Sequence, residues 1–528
     1  MLVCYHAAMA FDPASLPRDP DRLIAIIMDL QARNETLQGQ VAALQRMVFG
    51  PRSEKLAVDP AQLELALPDV EIISAVRAAN DDDPAARTAK MAPPRRKAVR
   101  NIGALPKHLP RCEVVIEPES ETCPCCQGAL HRIGEDVTEQ LDVIPAILQV
   151  KRIRRPRYGC RGCESAVVQA KAPARIVDNG LPTVALVAWV AVAKFAWHLP
   201  LNRQTKIFRG YGIELDRSTL VHWVMRAAWW LKPLHALLVE TVLASPKVFC
   251  DDTPMPVLDR RRRQTRTARF WSYAIDDRPW QGPGPPAVVY LFAEDRKGQH
   301  VHEHLEGFSG VLQVDGYAGY HELTRPGRPG GAITLAFCLA HARRQYFEVF
   351  ENSGSAVAEE ALRRLRAVYA IEARIRGLTA EERVSVRRAE SRPILEAFKA
   401  WLLQRLEEES AKSSLAKAIR YTLNHWEGLT VFLTDGRVEV DTNVVEREIR
   451  PIALGRRNAL FSGCSRGAEA WAILASLINS AKLHELDPQT YLTDVLEKIV
   501  SGQTKVNALH ELLPWKWKET QAARRAAA

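Results

Sequence analysis

The order of short apolar runs between residues 247 and 315 limits this chain more than any other feature. Residues 247–250 (KVFC) read as a buried strand that delivers Asp251 and Asp252. Pro254 and Pro256 follow, and because proline cannot donate to a ladder the strand is expected to break there. Residues 270–275 and 287–293 read as two more strands bracketed by Pro/Gly-rich turns, with a basic loop at 260–263 before them. Residues 298–308 read as a short helix, and 310–314 as a fourth strand ending at Asp315. The order is β-β-β-α-β, with one acid closing the first strand and another closing the fourth.

That order is the ribonuclease-H-like plan, in which strands one and four are neighbours, so Asp251 and Asp315 would stand side by side. A fifth strand is expected at 333–337, and Cys338-Leu-Ala-His341 opens the next helix. Residues 354–435 are charged and helical in pattern and read as an insertion. Asp441-Thr442-Asn443 then looks like the cap of a helix carrying Glu446, with Arg450 one turn later on the same face. Phosphodiester attack needs an activated water or hydroxyl and a stabilised leaving oxygen. Two divalent ions about 3.5–4 Å apart supply both, and carboxylates are the hard ligands that hold them. Asp251, Asp315 and Glu446 fit that frame, with two Mg²⁺ or Mn²⁺ as the implied ions. Arg447, Arg450, Arg456 and Arg457 can position phosphates. Asp252 reads as a supporting neighbour and not as a ligand. Cys338-x2-His341 is a weak metal signal alone, which leaves His341, like Asp252 and Arg450, a secondary candidate.

The flanking regions point toward nucleic acid. The chain has 528 residues and a net charge of +10, which suits a polyanionic partner. No run of eighteen apolar residues occurs without charge, so no membrane span is expected, and the first residues lack a basic leader pattern. Leu23, Ile27, Leu30, Asn34, Leu37, Val41, Leu44 and Val48 recur in steps of four and three. This pattern predicts a parallel dimerising coiled coil, with Asn34 at an a position. Cys123-x2-Cys126 and Cys160-x2-Cys163 form two knuckles, a four-thiolate signature for one structural Zn²⁺ on a zinc-ribbon-like hairpin. Cys125 leaves open which thiol of the first pair binds. Lys151, Arg152, Arg154, Arg155 and Arg157 crowd the second strand of that hairpin.

Residues 202–209, the Gly210-Tyr211-Gly212 turn and a helix at 219–231 capped from Asp216 have helix-turn-helix spacing. Arg203, Lys206, Arg209 and Arg217 occupy its polar positions. A plain helical hairpin has the same spacing, so DNA reading by this element stays open at this stage. Trp189, Trp197, Trp223, Trp229 and Trp230 are expected in the core. Asp487-Pro488 is expected to cap a last helix to about 500, followed by a basic, partly disordered tail.

The chain resembles the DDE transposases of the insertion sequence sixty-six family over nearly its whole length. The carrying motifs are FGPRSEK at 49–55, CPCC at 123–126, CRGC at 160–163, CDDTPMPVLD at 250–259, LQVDGYAGY at 312–320, CLAHARR at 338–344 and DTNVVEREIRPIALGRRN at 441–458. Two positions depart from the family pattern: Asp252 stands where the family usually has Glu, and Thr442 where it usually has Asn. Both departures leave the assigned acids in place. The resemblance implies a multidomain α+β protein. Its parts would be a helical coiled-coil region (1–78), a linker (79–104), a zinc-binding domain (105–175) and a helical helix-turn-helix-like region (176–244). A ribonuclease-H-like catalytic domain (245–467) with a helical insertion (354–435) and a C-terminal helical element with its tail (468–528) would complete it. It implies binding to element terminal repeats and target DNA, strand cleavage and strand transfer, and a homo-oligomer of at least two chains. It also implies accessory proteins of the same element and a bacterial cytoplasmic, nucleoid-associated location. The alternatives are a catalytically inactive DNA-binding regulator and a resolvase-like nuclease of the same fold.

Overall fold

The computed structural model describes residues 148–155, 157–159, 167–169 and 171–527, except 179 and 260, together with two isolated positions, 19 and 28. The expected coiled coil, the linker and Cys123, Cys126, Cys160 and Cys163 lie outside the described residues. In the unit Asp83–Ala170, β1 (Arg157–Gly159) and β2 (Val167–Gln169) pair antiparallel, with Arg157 opposite Gln169. Lys151, Arg152, Arg154, Arg155 and Arg157 are all exposed there.

From Lys171 on, the first helix of the large unit is α1 (Val184–Phe195), whose first turn is capped by the Thr183 hydroxyl accepting the Leu186 N–H at 3.2 Å. Then come α2 (Leu201–Gly210) and α3 (Arg217–Leu243), joined by a turn in which Gly212 takes φ +74°. The second helix was expected to end at 231, yet it runs through Pro233 to Leu243. Proline there removes a hydrogen bond to the carbonyl of residue 229, and Trp229 is exposed, so water can serve that carbonyl. Burial of Leu231, Leu234, Leu238 and Val242 beyond it sustains the helix. Trp223 is buried as expected, but Trp197 and Trp229 are 62% and 57% exposed. Each lies under a cation instead, Lys482 at 5.4 Å from the first ring and Arg226 at 4.7 Å from the second.

The sheet follows as β3 (Lys247–Asp259), β4 (Gln264–Ile275), β5 (Ala287–Ala293), the short α4 (Gly298–His304), β6 (Gly310–Val314) and β7 (Ile333–Phe337). Its spatial order is β5-β4-β3-β6-β7. β4 is antiparallel to β3 and β5, whereas β6 lies parallel to β3 and β7. The expected break at the prolines does not occur, because β3 continues through Pro254 and Pro256. Hydrogen-bond direction explains why. Leu258 N–H donates to the Ser462 carbonyl and Ser462 N–H to the Pro256 carbonyl, so even-numbered residues here turn their backbone groups away from β4. On that side β6 pairs only through Phe249. The prolines therefore lack a donor where no strand asks for one.

After β7 come α5 (Leu339–Ser353) and the helical insertion: α6 (Ala356–Ile375), α7 (Ala380–Val386), a π turn (Arg387–Ser391), α8 (Arg392–Glu408), α9 (Ser414–Asn424) and α10 (Trp426–Leu429). The chain returns to the sheet as α11 (Asn443–Ala459) and α12 (Ser465–Leu483), then α13 (Pro488–Val500) and α14 (Pro514–Ala527). α12 covers the outer edge of β5. Ser480 and Ser476 accept the Val288 and Tyr290 N–H groups at 3.0 and 2.9 Å, which satisfies an edge that would otherwise be open. The Asp487 cap is observed, accepting the Thr490 N–H at 2.7 Å. The tail expected to be partly disordered is helical instead. Trp517 is 7% exposed and its indole N–H reaches Asp494, so the tail has an anchor its charge pattern did not reveal. No helix among the described residues is long and apolar enough to cross a membrane.

Candidate active site

Side chains alternate along a strand, so the adjacent acids Asp251 and Asp252 must face opposite ways. Asp252 points to a closed side. Its carboxylate is 1% exposed and is held by Arg269 and Arg296, each at 2.9 Å. With two guanidiniums in place its oxygens are already used, which fits a supporting neighbour. Arg296 also reaches Asp315 at 3.9 Å and stacks over Tyr317 at 4.3 Å, so it ties the middle of β3 to the end of β6.

Asp251 meets Asp315 by register. β3 and β6 pair as Lys247 with Val311, Val248 with Leu312 and Phe249 with Gln313. Extending that pairing by two residues sets Asp251 across from Asp315. After Asp315 the chain turns sharply at Gly316, whose φ of +105° disfavours any residue with a Cβ. Tyr421 from the insertion donates to the Asp315 carbonyl at 3.0 Å, and the Tyr317 N–H donates to Asp315 Oδ1 at 2.9 Å.

Glu446 arrives by a different route. Gln313, fully buried in β6, donates to the carbonyls of Glu439 and Asp441 at 2.6 and 3.0 Å and accepts the Glu439 N–H at 3.2 Å. Leu339 N–H, at the start of α5, donates to the Val440 carbonyl at 3.0 Å. These bonds fix the segment that leads into α11 beside the ends of β6 and β7. At the entry to α11, Asp441 accepts the Asn443 N–H at 3.2 Å, and the Thr442 hydroxyl donates to Glu446 Oε1 at 3.0 Å. At the far end of α11, Arg456 donates to Thr253 Oγ1 at 3.3 Å and to the Pro254 carbonyl, which pins the helix to β3. Replacing Gln313 by Leu leaves buried backbone groups unpaired and is expected to cost about 2–3 kcal/mol of stability. Urea denaturation of both proteins measures it, and an unchanged midpoint would refute this role.

The electrostatics agree with the geometry. Burial pushes the Asp251 carboxyl well above the usual range, and the charges of Asp315, Asp252 and Glu446 push it further, while His341 opposes them. Burial alone would lower His341, but the Cys338 thiol and the charges of Glu446 and Asp315 outweigh it and raise the imidazole to about 10. Asp441, beside the entry to α11, is pushed up to about 7, chiefly by burial. A buried acid raised further by its acidic neighbours, as Asp251 is, is short of positive charge, and hard divalent cations are the natural complement. By this criterion the residues present fit such ions.

Of the candidates read from sequence, Asp251, Asp315, Glu446 and His341 are brought within electrostatic reach of one another. Arg203, Lys206, Arg209 and Arg217 are exposed on α2 and at the start of α3, with Arg209 ion-paired to Glu214 at 3.1 Å. Arg457 is exposed and Arg450 half-buried. Arg456 corrects the phosphate-contact expectation. It is 6% exposed and engaged with β3, so it anchors a helix. Sequence reading missed Arg296, Arg269, Thr442 and Gln313. Only Gln313 carried a signal, being a polar residue inside an otherwise apolar strand.

Comparison with known proteins covers most of the chain. Residues 179–470 match a family model described as transposase IS66 family, and 120–164 match a zinc-finger binding domain of transposase IS66. Residues 36–114 match transposase C of IS166 homeodomain, and 476–515 match the IS66 C-terminal element. The uncharacterized protein y4jD of Sinorhizobium fredii (strain NBRC 101917 / NGR234) is similar, with 50% identity over 521 residues, spanning 98% of this chain and 100% of that one. The uncharacterized protein y4hP of the same organism is 38% identical over 507 residues, spanning 92% of this chain and 89% of that one.

Proposed function

The chain belongs to the IS66 transposase family, and we propose that it binds insertion-sequence ends and catalyses DNA strand cleavage and strand transfer. The single observation that carries this reading is the β3–β6 register, which, continued by two residues, brings Asp251 to Asp315, where the charges of Asp315 and Glu446 both act on Asp251. The sheet order β5-β4-β3-β6-β7 supports assigning a ribonuclease-H-like catalytic domain.

In this reading Asp251, Asp315 and Glu446 hold two Mg²⁺ or Mn²⁺ ions. Such ions, when bound, lower the pKa of an attacking water or 3′-hydroxyl and stabilise the leaving oxygen. The chain's own residues do the positioning. Arg296 and Arg269 hold Asp252 in place beside Asp251. Thr442 orients the Glu446 carboxylate, and Gln313 holds the segment that delivers it. Arg203, Lys206, Arg209 and Arg217 contact DNA phosphates or bases from the helix-turn-helix-like pair, and Arg450 and Arg457 contact phosphates near the acids. Cys123, Cys126, Cys160 and Cys163 hold one structural Zn²⁺, and the heptads at 23–48 form a dimer.

A strand-transfer assay with terminal-end DNA and Mg²⁺ or Mn²⁺ tests the reading. Joined products are expected from the wild-type chain. Cleavage without joining would favour a resolvase-like nuclease, and neither activity would favour a DNA-binding regulator. For the zinc module, Cys160→Ser is expected to lose the bound zinc seen by metal analysis of the wild type. Equal zinc in both proteins would refute the four-thiolate assignment.

A further inference from the structure

We propose that Cys338, His341 and Glu446 form a binding site for one borderline-soft divalent ion of the zinc class, next to the hard-ion site of the acids. A sulfur, a ring nitrogen and a carboxylate oxygen from these residues lie within 4.8 Å of one another. The ligands come from two elements. Cys338 caps α5 with His341 in its first turn, and Glu446 lies in the first turn of α11. Cys338 is fully buried, and the other two are half-buried.

The outer sides of two donors are already held. The Thr442 N–H donates to Cys338 Sγ at 3.3 Å, and the Thr442 hydroxyl fixes Glu446 Oε1 at 3.0 Å. Outer hydrogen bonds of this kind orient metal ligands. A separate observation points to a ligand. The Nδ1 of His341 is buried without a hydrogen-bond partner, and so is the hydroxyl of Tyr369, whose ionisation is opposed first by burial and then by the charges of Asp441 and Cys338. Buried polar atoms are normally satisfied.

The donor chemistry selects the ion. Mg²⁺ takes oxygen and avoids sulfur, so Cys338 adds nothing to the hard-ion site. Thiolate with imidazole suits Zn²⁺ or Co²⁺. Three protein donors leave a fourth tetrahedral position open. Glu446 serves both sites, so an ion here withdraws the third acid. That consequence rests on the catalytic reading of Glu446, whereas the site itself does not.

The test titrates Co²⁺ into the full chain purified with its zinc module loaded. One further equivalent is expected to bind and to give a thiolate-to-cobalt absorption band that excess Mg²⁺ does not remove. Cys338→Ser is expected to lose the band. His341→Gln and Glu446→Gln are expected to keep it and bind on the order of tenfold or more weakly. Circular dichroism checks that each variant is folded, and the His341 and Glu446 variants decide the matter should Cys338→Ser fail to fold. No band in the wild type, an undiminished band in folded Cys338→Ser, or unchanged affinity in both other variants overturns the site. Zn²⁺ is expected to inhibit strand transfer over the range in which it displaces Co²⁺, and displacement without inhibition overturns the shared carboxylate. Absence of strand transfer under every condition would defeat the transposase reading and leave the cobalt readout to judge the site.

Discussion

Asp251→Ala is expected to lower strand transfer by on the order of 10³-fold or more while making the metal-free protein more stable. Both halves follow from the same electrostatics. Asp251 sits across from Asp315 and within the field of Glu446, so any ion held there loses a central ligand when it is removed. Its carboxyl is raised well above the usual range in the fold, by burial first and by like charges second. A raised folded-state pKa means that the folded chain prefers the protonated form. The stability this lends is present below the unfolded pKa of about 4 and is lost as pH rises through the folded value. At neutral pH the ionised group is therefore a burden on the metal-free fold, and its removal relieves that burden. Asp251→Asn, which keeps the volume, should show the same pair of effects. The assay compares joined products and thermal midpoints in chelator at neutral pH. Joined products that persist in Asp251→Ala would sink the assignment, and a lowered midpoint in Asp251→Asn would refute the electrostatic account.

Glu372→Ala is expected to cost about 3–5 kcal/mol of stability, the largest effect away from the active site. Glu372 on α6 pairs with Arg387 through two bonds of 2.8 and 2.6 Å and approaches Arg383 at 3.6 Å. Arg387 and Arg383 are 0% and 1% exposed. Removing the acid leaves two guanidiniums buried with carbonyls and one further acid to hold them. Arg387 keeps the Phe432 carbonyl at 2.9 Å, and Arg383 keeps Glu439 at 2.8 Å, though that contact is poorly aligned for a hydrogen bond. Glu439 is the residue that Gln313 holds in front of α11, so the network buttresses the segment that delivers Glu446. Lower strand transfer is expected along with the lower stability. Glu360→Ala is the control. Its pairs with Arg363 and Arg364 are at the surface, so about 0–1 kcal/mol is expected. Equal losses from Glu372→Ala and Glu360→Ala in chemical denaturation would overturn the buried-network account.

Much of the sheet could be read in advance. Strands at Ala287–Ala293, Gly310–Val314 and Ile333–Phe337 occupy the residues their apolar runs marked, and α13 begins at its Asp487-Pro488 signal. Each of these signals is local: an apolar run, a cap, a Pro/Gly turn. The misses share a cause. Whether Pro254 breaks a strand depends on which side its missing N–H would face. Whether Arg456 meets phosphate depends on what α11 packs against. Whether Trp229 is core depends on what covers α3. None of these partners is near in the chain.

The sequence by itself therefore determined most of the sheet strands and their order, the acids Asp251 and Asp315 on two of them, the spacing of the two Cys-x2-Cys pairs and the family. It did so because periodicity, caps and motif spacing act over a few residues. The tertiary structure alone decided that Arg269 and Arg296 hold Asp252, how Gln313 and Thr442 present Glu446, and that Cys338 and His341 lie beside that carboxylate. Those facts arise where β6, β7 and α11 converge, and no local pattern encodes contacts made across the insertion that separates them.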